Sequence, residues 1–314
     1  MKVSIVIRSK NEERFIGEVL QRVLAQEFSA SYEVIVLDSG SQDCTREIVR
    51  GFPVRLEMLP AEKFTFGFAL NYGVTLAQGE YLVFLSAHCL PRERSWLREL
   101  TLPLETNSCV AATYGRQEPL KGVNPLEEIG LERIYTLQEG NTVQAPFSNA
   151  NSAIRRQILQ CHPFDEEITG GEDFLWAYLL PPPYTVQYVH AASVFHSHPL
   201  RLRYWSRRWY IEGLMVPYLE RLYGAPDPWA ESGENPSSLP KWGVCKRMGA
   251  TMLTLLQRKE FTAFCRYPLY GLARVYFSNK GKKAGARLYQ RRTASLSLPL
   301  RAAQKKAMDS ERNV

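Results

Sequence analysis

Short runs of β-branched and aliphatic residues alternate with longer amphipathic stretches from Val3 to Leu85, and this alternation leaves the chain few architectures. Val3-Ser4-Ile5-Val6-Ile7, Tyr32 to Leu37, Val54 to Met58 and Tyr81 to Leu85 have the length and composition of strands, while Glu13 to Ala25, Asp43 to Arg50 and Phe66 to Ala77 carry apolar residues at helical spacing. Strands that are apolar at nearly every position must be covered on both faces. Helices on each side of a mostly parallel sheet provide that cover, so the expected fold is α/β with right-handed crossovers. Ser41 or Asp43 is suited to cap the second helix.

Beyond a fifth strand at Val110 to Tyr114 the pattern loosens over Gly115 to Gln144, which reads as an acceptor-side insertion. Order returns at Phe147 to Ile154, in a helix from Glu172 that Pro181-Pro182-Pro183 cannot continue, and in a strand at Thr185 to Val189. Gly224 to Pro240, rich in Pro, Ser, Gly and Glu, reads as a linker. The expected division is a body at 1–223, a linker at 224–240 and a mainly helical, basic extension at 241–314. From Lys241 onward seventeen Lys and Arg face only three acidic residues, although the whole chain carries a formal charge of +7, so the body is acidic. Such a tail suits an anionic partner, and an anionic membrane surface is the expected one; no nucleic-acid fold signature is present. Phe261 to Tyr276, followed by Lys280-Gly281-Lys282-Lys283, is the best membrane-facing candidate. The basic aromatic segment around Trp205 and Trp209 reads either as an interfacial helix or as one packed onto the body. No leader and no apolar run of about 18 residues is seen, and the six cysteines show no C-x-x-C pair. The expectation is a cytoplasmic protein, peripheral on the inner face of the cell membrane.

Ligands of parallel sheets bind beyond the carboxyl ends of the strands. Three polar clusters sit there: Arg8-Ser9-Lys10-Asn11-Glu12, Asp38-Ser39-Gly40-Ser41-Gln42-Asp43, and Ser86-Ala87-His88. These segments, with Ala69-Leu70-Asn71-Tyr72-Gly73, Ser148-Asn149-Ala150-Asn151 and Gly170-Gly171-Glu172-Asp173, resemble the family 2 glycosyltransferases with an A-type fold, and most resemble their rhamnosyltransferase-like branch.

The resemblance implies an inverting transferase moving a sugar from a nucleotide diphosphate sugar donor to the hydroxyl of a saccharide or lipid-linked acceptor, in cell-envelope polysaccharide or glycolipid synthesis. Arg8, Lys10, Asn11, Glu12, Asp38, Ser39, Gly40, Asn71 and Ser86 would bind the nucleotide, with Asp38 accepting from the base N–H. Asn149 and Asn151 would touch the acceptor. Asp173 would be the catalytic base, with Glu172 supporting it. Where the family has Asp-x-Asp this chain has Ser86-Ala87-His88, which puts His88 in the metal-facing position. His198, or His196 two residues before it, would complete the shell of a divalent cation, Mn²⁺ or Mg²⁺; imidazole favours Mn²⁺. The lost acidic pair leaves open that no metal binds through this motif and that Lys10, His or Arg side chains neutralise the diphosphate, or that the chain is a non-catalytic nucleotide-sugar-binding module; a nucleotidyltransferase that liberates pyrophosphate is a further rival.

Overall fold

The computed structural model describes residues 1–60, 64–136, 147–198, 200–223 and 251–295. The predicted linker at 224–240 lies outside the described residues, as do 241–250 and 296–314 of the basic extension.

The early apolar runs form β1 (Val3–Ser9), β2 (Tyr32–Asp38), β3 (Arg55–Met58) and β4 (Tyr81–Ser86), separated by α1 (Ile16–Leu24), α2 (Thr45–Arg50) and α3 (Phe66–Leu76). β1 lies parallel between β2 and β4, and β3 adds in parallel to β2. Successive side chains of these strands alternate between two cores. Ile5, Ile7, Val36, Val83 and Leu85 pack with α1 on one face, while Val6, Ile35, Leu37, Leu82 and Phe84 pack with α3 on the other. Each such side chain, fully buried, contributes roughly 1.5–3 kcal/mol. That explains why the strands are apolar throughout rather than at alternate positions.

The second half of the sheet is mixed. It contains β5 (Cys89–Pro91), α4 (Trp96–Thr106), β6 (Val110–Pro119), α5 (Pro125–Thr136), β7 (Asn151–Arg155), α6 (Arg156–Cys161), α7 (Glu172–Tyr178) and β8 (Thr185–His196). The strand order is β3-β2-β1-β4-β7-β6-β8-β5. β7 runs antiparallel to β4 and β6, β5 is antiparallel to β8, and β6 and β8 are parallel. The insertion expected from Gly115 begins later, because β6 stays paired with β8 as far as Pro119 opposite His196. Pairing across the sheet extends a strand whose polar sequence does not announce it.

The chain continues in α8 (Leu202–Tyr223), a helical segment at 251–257 (α9) and α10 (Phe261–Ser295). α10 lies against α8 at backbone contact: a Cβ on Gly281 would collide with the Tyr210 carbonyl oxygen, and one on Gly285 with that of Leu214. Trp209 of α8 meets Tyr270 of α10 edge to face at 6.2 Å. The extension also grips α5, through a cluster of Ile129, Leu255 and Ala263 and through Arg258, 2.5 Å from Glu132 and 3.7 Å from Glu128. These contacts make it a buttress of the body. Of the two readings of the Trp205 segment, packing is the observed one. Among the described residues, no helix is long and apolar enough to cross a membrane.

Candidate active site

The parallel register sets the site at one sheet edge, with Ser9 opposite Asp38 and Arg8 opposite Ser86. The loops after β1 and β2 are then laced together. Asn11, in a left-handed backbone conformation (φ 56°), donates its N–H to Ser41 Oγ at 2.8 Å and accepts from Gln42 N at 2.7 Å. Ser39 N donates to Ser9 O at 3.1 Å, and Glu12 N to Thr45 Oγ1 at 2.7 Å. Neither predicted cap sits at the helix boundary itself, which is Cys44; Asp43 Oδ1 accepts from Thr45 N at 3.0 Å, while Ser41 turns away to the β1 loop.

Asp38 is fully buried. Its Oδ1 accepts from the N–H groups of Gly40 (3.0 Å) and Ser41 (2.8 Å), and its Oδ2 accepts from the Ser41 hydroxyl. The carboxylate therefore shapes the loop that carries Ser39 and Gly40. Lys10 is exposed at the same rim.

From this loop the site extends through Glu12, whose Oε1 lies 2.8 Å from His88 Nδ1. His88 stacks on His196 with ring centres 5.1 Å apart and meets His198 edge to face at 4.8 Å; His196 and His198 are 4.6 Å apart. One donor nitrogen from each of the three rings lies within 4.8 Å of the others. All three Nδ1 atoms are held by oxygens: His88 by Glu12, His196 by Gln117 Oε1 at 2.7 Å, and His198 by Glu127 Oε1 at 2.6 Å. Acceptors at Nδ1 fix the tautomer that leaves Nε2 as ligand. Burial, and then the neighbouring imidazoles, hold His196 well below the ordinary imidazole pKa; burial and the Arg208 charge do the same for His198. Both rings are thus kept in the neutral, ligating form. Three imidazole donors are a ligand set for a transition ion rather than for Mg²⁺, which demands oxygen.

The acidic pair joins the same sheet edge through Arg8 and Asn149. Gly171 adopts the left-handed conformation (φ 78°) that launches α7, and Glu172 and Asp173 form its first turn. Asp173 is oriented by two backbone N–H groups, Asn149 to Oδ2 at 3.1 Å and Phe174 to Oδ1 at 2.9 Å. Burial raises its pKa against the pull of those donors and of Arg8. Glu172 is buried and lies 3.6 Å from Arg8 Nη1, which sits over the Phe66 ring and makes no hydrogen bond of its own. Burial, followed by repulsion from Asp173, pushes Glu172 up to about 8, with Arg8 opposing.

A folded-state pKa above the unfolded value means that stability is lost as pH rises from the ordinary carboxylate range toward 8. Glu172→Gln is therefore expected to be more stable than wild type at pH 9, by on the order of several kcal/mol, seen as a higher unfolding temperature, and to show no advantage at pH 4.5. Calorimetry across that range checks it.

Two predicted residues serve elsewhere. Asn71 donates to Phe164 O (2.9 Å) and Glu166 Oε1 (2.8 Å) and accepts from Phe164 N (3.0 Å). It lines a cleft with Val74, Arg156 and Phe164 that includes none of the other candidates. Asn151 is fully buried, accepts from Trp96 Nε1 at 2.9 Å and donates to Ala192 O at 2.8 Å, so it ties α4 to β8 and offers nothing to an acceptor. Asn151→Ala should cost about 1–3 kcal/mol per orphaned partner, read as a lower unfolding temperature with acceptor KM unchanged. Asn149 differs: its Nδ2 is buried without a partner, close to Asp173. Ser86 is part-exposed, and its N–H is bonded to Ala150 O at 3.1 Å. Sequence reading missed Gln117 and Glu127, which orient two of the histidines, and Tyr204, which stacks on His198 at 5.2 Å.

Residues 4–162, half of the chain, match the family model described as Glycosyl transferase family 2. The O-antigen chain rhamnosyltransferase WbaN of Salmonella anatum is 27% identical over 208 residues, which cover 61% of this chain and 66% of the relative. Glycosyltransferase AglE of Haloferax volcanii is 28% identical over 208 residues, 63% of this chain and 67% of the relative. The chain thus spans about two thirds of the length of these relatives. Among solved structures it resembles the mannosyltransferase PcManGT from Pyrobaculum calidifontis, in complex with GDP-Man and Mn²⁺, with a TM-score of 0.54 at 19% identity, covering 98% of this chain and 79% of that one. Glucosyl-3-phosphoglycerate synthase from Mycobacterium tuberculosis, in complex with Mn²⁺, UDP and phosphoglyceric acid, gives 0.52 at 20% identity over 70% of this chain and 78% of that one. At these identities the likeness is one of fold, the glycosyltransferase A-type. With half its length matching the model and its motifs gathered at a single sheet edge, the chain belongs to glycosyl transferase family 2.

Proposed function

We propose that the protein is an inverting glycosyltransferase that moves a sugar from a nucleotide diphosphate sugar to the hydroxyl of a saccharide or lipid-linked acceptor in envelope glycan synthesis. The observation that carries the reading is the placement, at one sheet edge, of three histidines whose ligand atoms lie within 4.8 Å of one another together with the buried Glu172 and the part-exposed Asp173. The relatives' names support the substrate class.

Residues 1–223 form the catalytic body, with the linker and basic extension following it. The laced loops with Asn11, Ser39 and Gly40 receive the nucleotide, shaped by Asp38 and flanked by Arg8 and Lys10. His88, His196 and His198 hold a divalent cation, with Mn²⁺ preferred over Mg²⁺; such an ion supplies charge neutralisation to the diphosphate leaving group. The acceptor oxygen attacks the anomeric carbon, and the bond from that carbon to the phosphate oxygen breaks with its electron pair leaving on the diphosphate. The hydroxyl proton passes to an oxygen of Asp173. The two N–H groups that Asp173 accepts fix its direction, and its raised pKa improves it as a base near neutrality. Glu172, protonated at neutral pH, keeps a second negative charge away from the attacking oxygen. Asn149, the acceptor-side residue beside Asp173, orients that carboxylate through its backbone N–H, and its buried Nδ2 would reach an acceptor only on turning toward the cleft. The basic extension places the enzyme on the inner face of a membrane.

The test is incubation with a panel of nucleotide sugars and Mn²⁺. Slow release of nucleotide diphosphate from one of them, raised by its acceptor, is expected. Release of pyrophosphate would instead establish the nucleotidyltransferase, and tight binding with no release a non-catalytic module.

A further inference from the structure

α10 has two opposite faces. One, with Ala263, Tyr270, Gly281 and Gly285, is buried in the body. The other carries a single stripe at steps of three and four residues: Phe261, Cys265, Leu269, Leu272 and Tyr276, then Lys280, Lys283 and Arg287, all exposed. Positions so spaced lie on one side of a helix. Phe261, Leu269, Leu272 and Tyr276 are 61%, 55%, 69% and 61% exposed, far above what burial against the body would leave. Val275 widens the apolar half at 54%. The stripe is thus apolar along its first half and cationic along its second, and α10 as a whole holds eight Lys and Arg and no acidic residue.

We infer that this stripe is a docking surface for an anionic lipid bilayer, with the aromatic and aliphatic half entering the headgroup boundary and Lys280, Lys283 and Arg287 meeting lipid phosphates. Apolar area joined to a cationic cluster is the combination that anionic membranes retain. A second copy of the chain fits less well. Two such helices side by side in parallel would set cation against cation, and antiparallel they would set cations against apolar rings, with no acidic residue on either to answer them. The inference goes beyond the sugar transfer proposed above and stands independently of it, because the stripe shares no residue with the histidine cluster or the acidic pair.

The experiment uses the full chain, since removing α10 would strip the buttress from α5 and α8. Sedimentation with phosphatidylcholine vesicles is compared with vesicles containing phosphatidylglycerol, for wild type, Leu269→Glu with Leu272→Glu, and Lys280→Glu with Lys283→Glu and Arg287→Glu. All five positions are exposed, so the unfolding temperature should stay within a degree or two of wild type. The expected result is binding of wild type to the anionic vesicles alone, a fall of at least tenfold for the apolar pair, and roughly a hundredfold for the charge triple, about tenfold or less per cation. Equal binding to both vesicle types, or binding that both variants retain, overturns it. So does light scattering that shows a wild-type dimer which the apolar pair dissolves while no vesicle is bound.

Discussion

Asp173→Asn will lower nucleotide diphosphate release in the presence of acceptor by 10²- to 10⁴-fold, the range that a positioned general base contributes. Asparagine keeps the shape of the side chain and, through its one carbonyl oxygen, one of the two bonds from Asn149 N and Phe174 N, so the fold and the donor affinity should persist. The loss should fall on kcat, because the missing proton transfer belongs to the transition state and not to donor binding. Glu172→Gln, in contrast, should leave much of kcat intact near pH 7, where the wild-type side chain already carries a proton. If the two variants are equally impaired, or if Asp173→Asn retains most of its rate, Asp173 is not the base.

The second large effect concerns the histidines. Co²⁺ added to the protein should produce the visible absorption of a nitrogen-ligated ion, and His198→Ala should abolish it together with ion-dependent transfer. Disturbing an outer hydrogen-bond partner costs 10- to 100-fold in metal affinity in comparable sites, so Glu127→Gln and Gln117→Ala are expected in that range, and loss of a ligand at about 100-fold or beyond. Because burial holds His196 and His198 unprotonated below the ordinary imidazole range, Co²⁺ should stay bound under mildly acidic conditions and be released only at lower pH. Transfer supported equally by Mg²⁺ and unaffected by His198→Ala would refute the assignment.

The sequence announces the front half of this molecule well because its information there is local. β1 to β4 are apolar runs between helices of clear period, and in a parallel sheet the residues after each strand must share an edge. Arg8, Asp38 and His88 are therefore placed by topology alone. Where direction depends on distant partners, the reading stops. Nothing in Asn151-Ser152-Ala153-Ile154 says that β7 runs against its neighbours; β4 and β6 decide it. Pro103 inside α4 and the polar end of β6 hide those elements in the same way.

Residue type does not reveal where a side chain points. Asn71, Asn149 and Asn151 read alike as ligand-binding amides, yet packing commits the first to Phe164, the last to Trp96 and Ala192, and leaves a donor only on the second. The histidines show the converse. His88 and either His196 or His198 follow from motif order, but Gln117 and Glu127, which turn the rings, lie 79 and 71 residues from the side chains they hold.

The grip of α9 and α10 on α5 and α8 has a bearing on how the molecule is made. His198 is wedged between Glu127 at the start of α5 and Tyr204 at the start of α8. Both helices are clamped by residues that a ribosome adds later. A nascent chain that has not yet reached α10 therefore lacks the contacts that hold the helices on both sides of His198, whereas the packing of β1 to β4 with α1 and α3 draws on residues made much earlier.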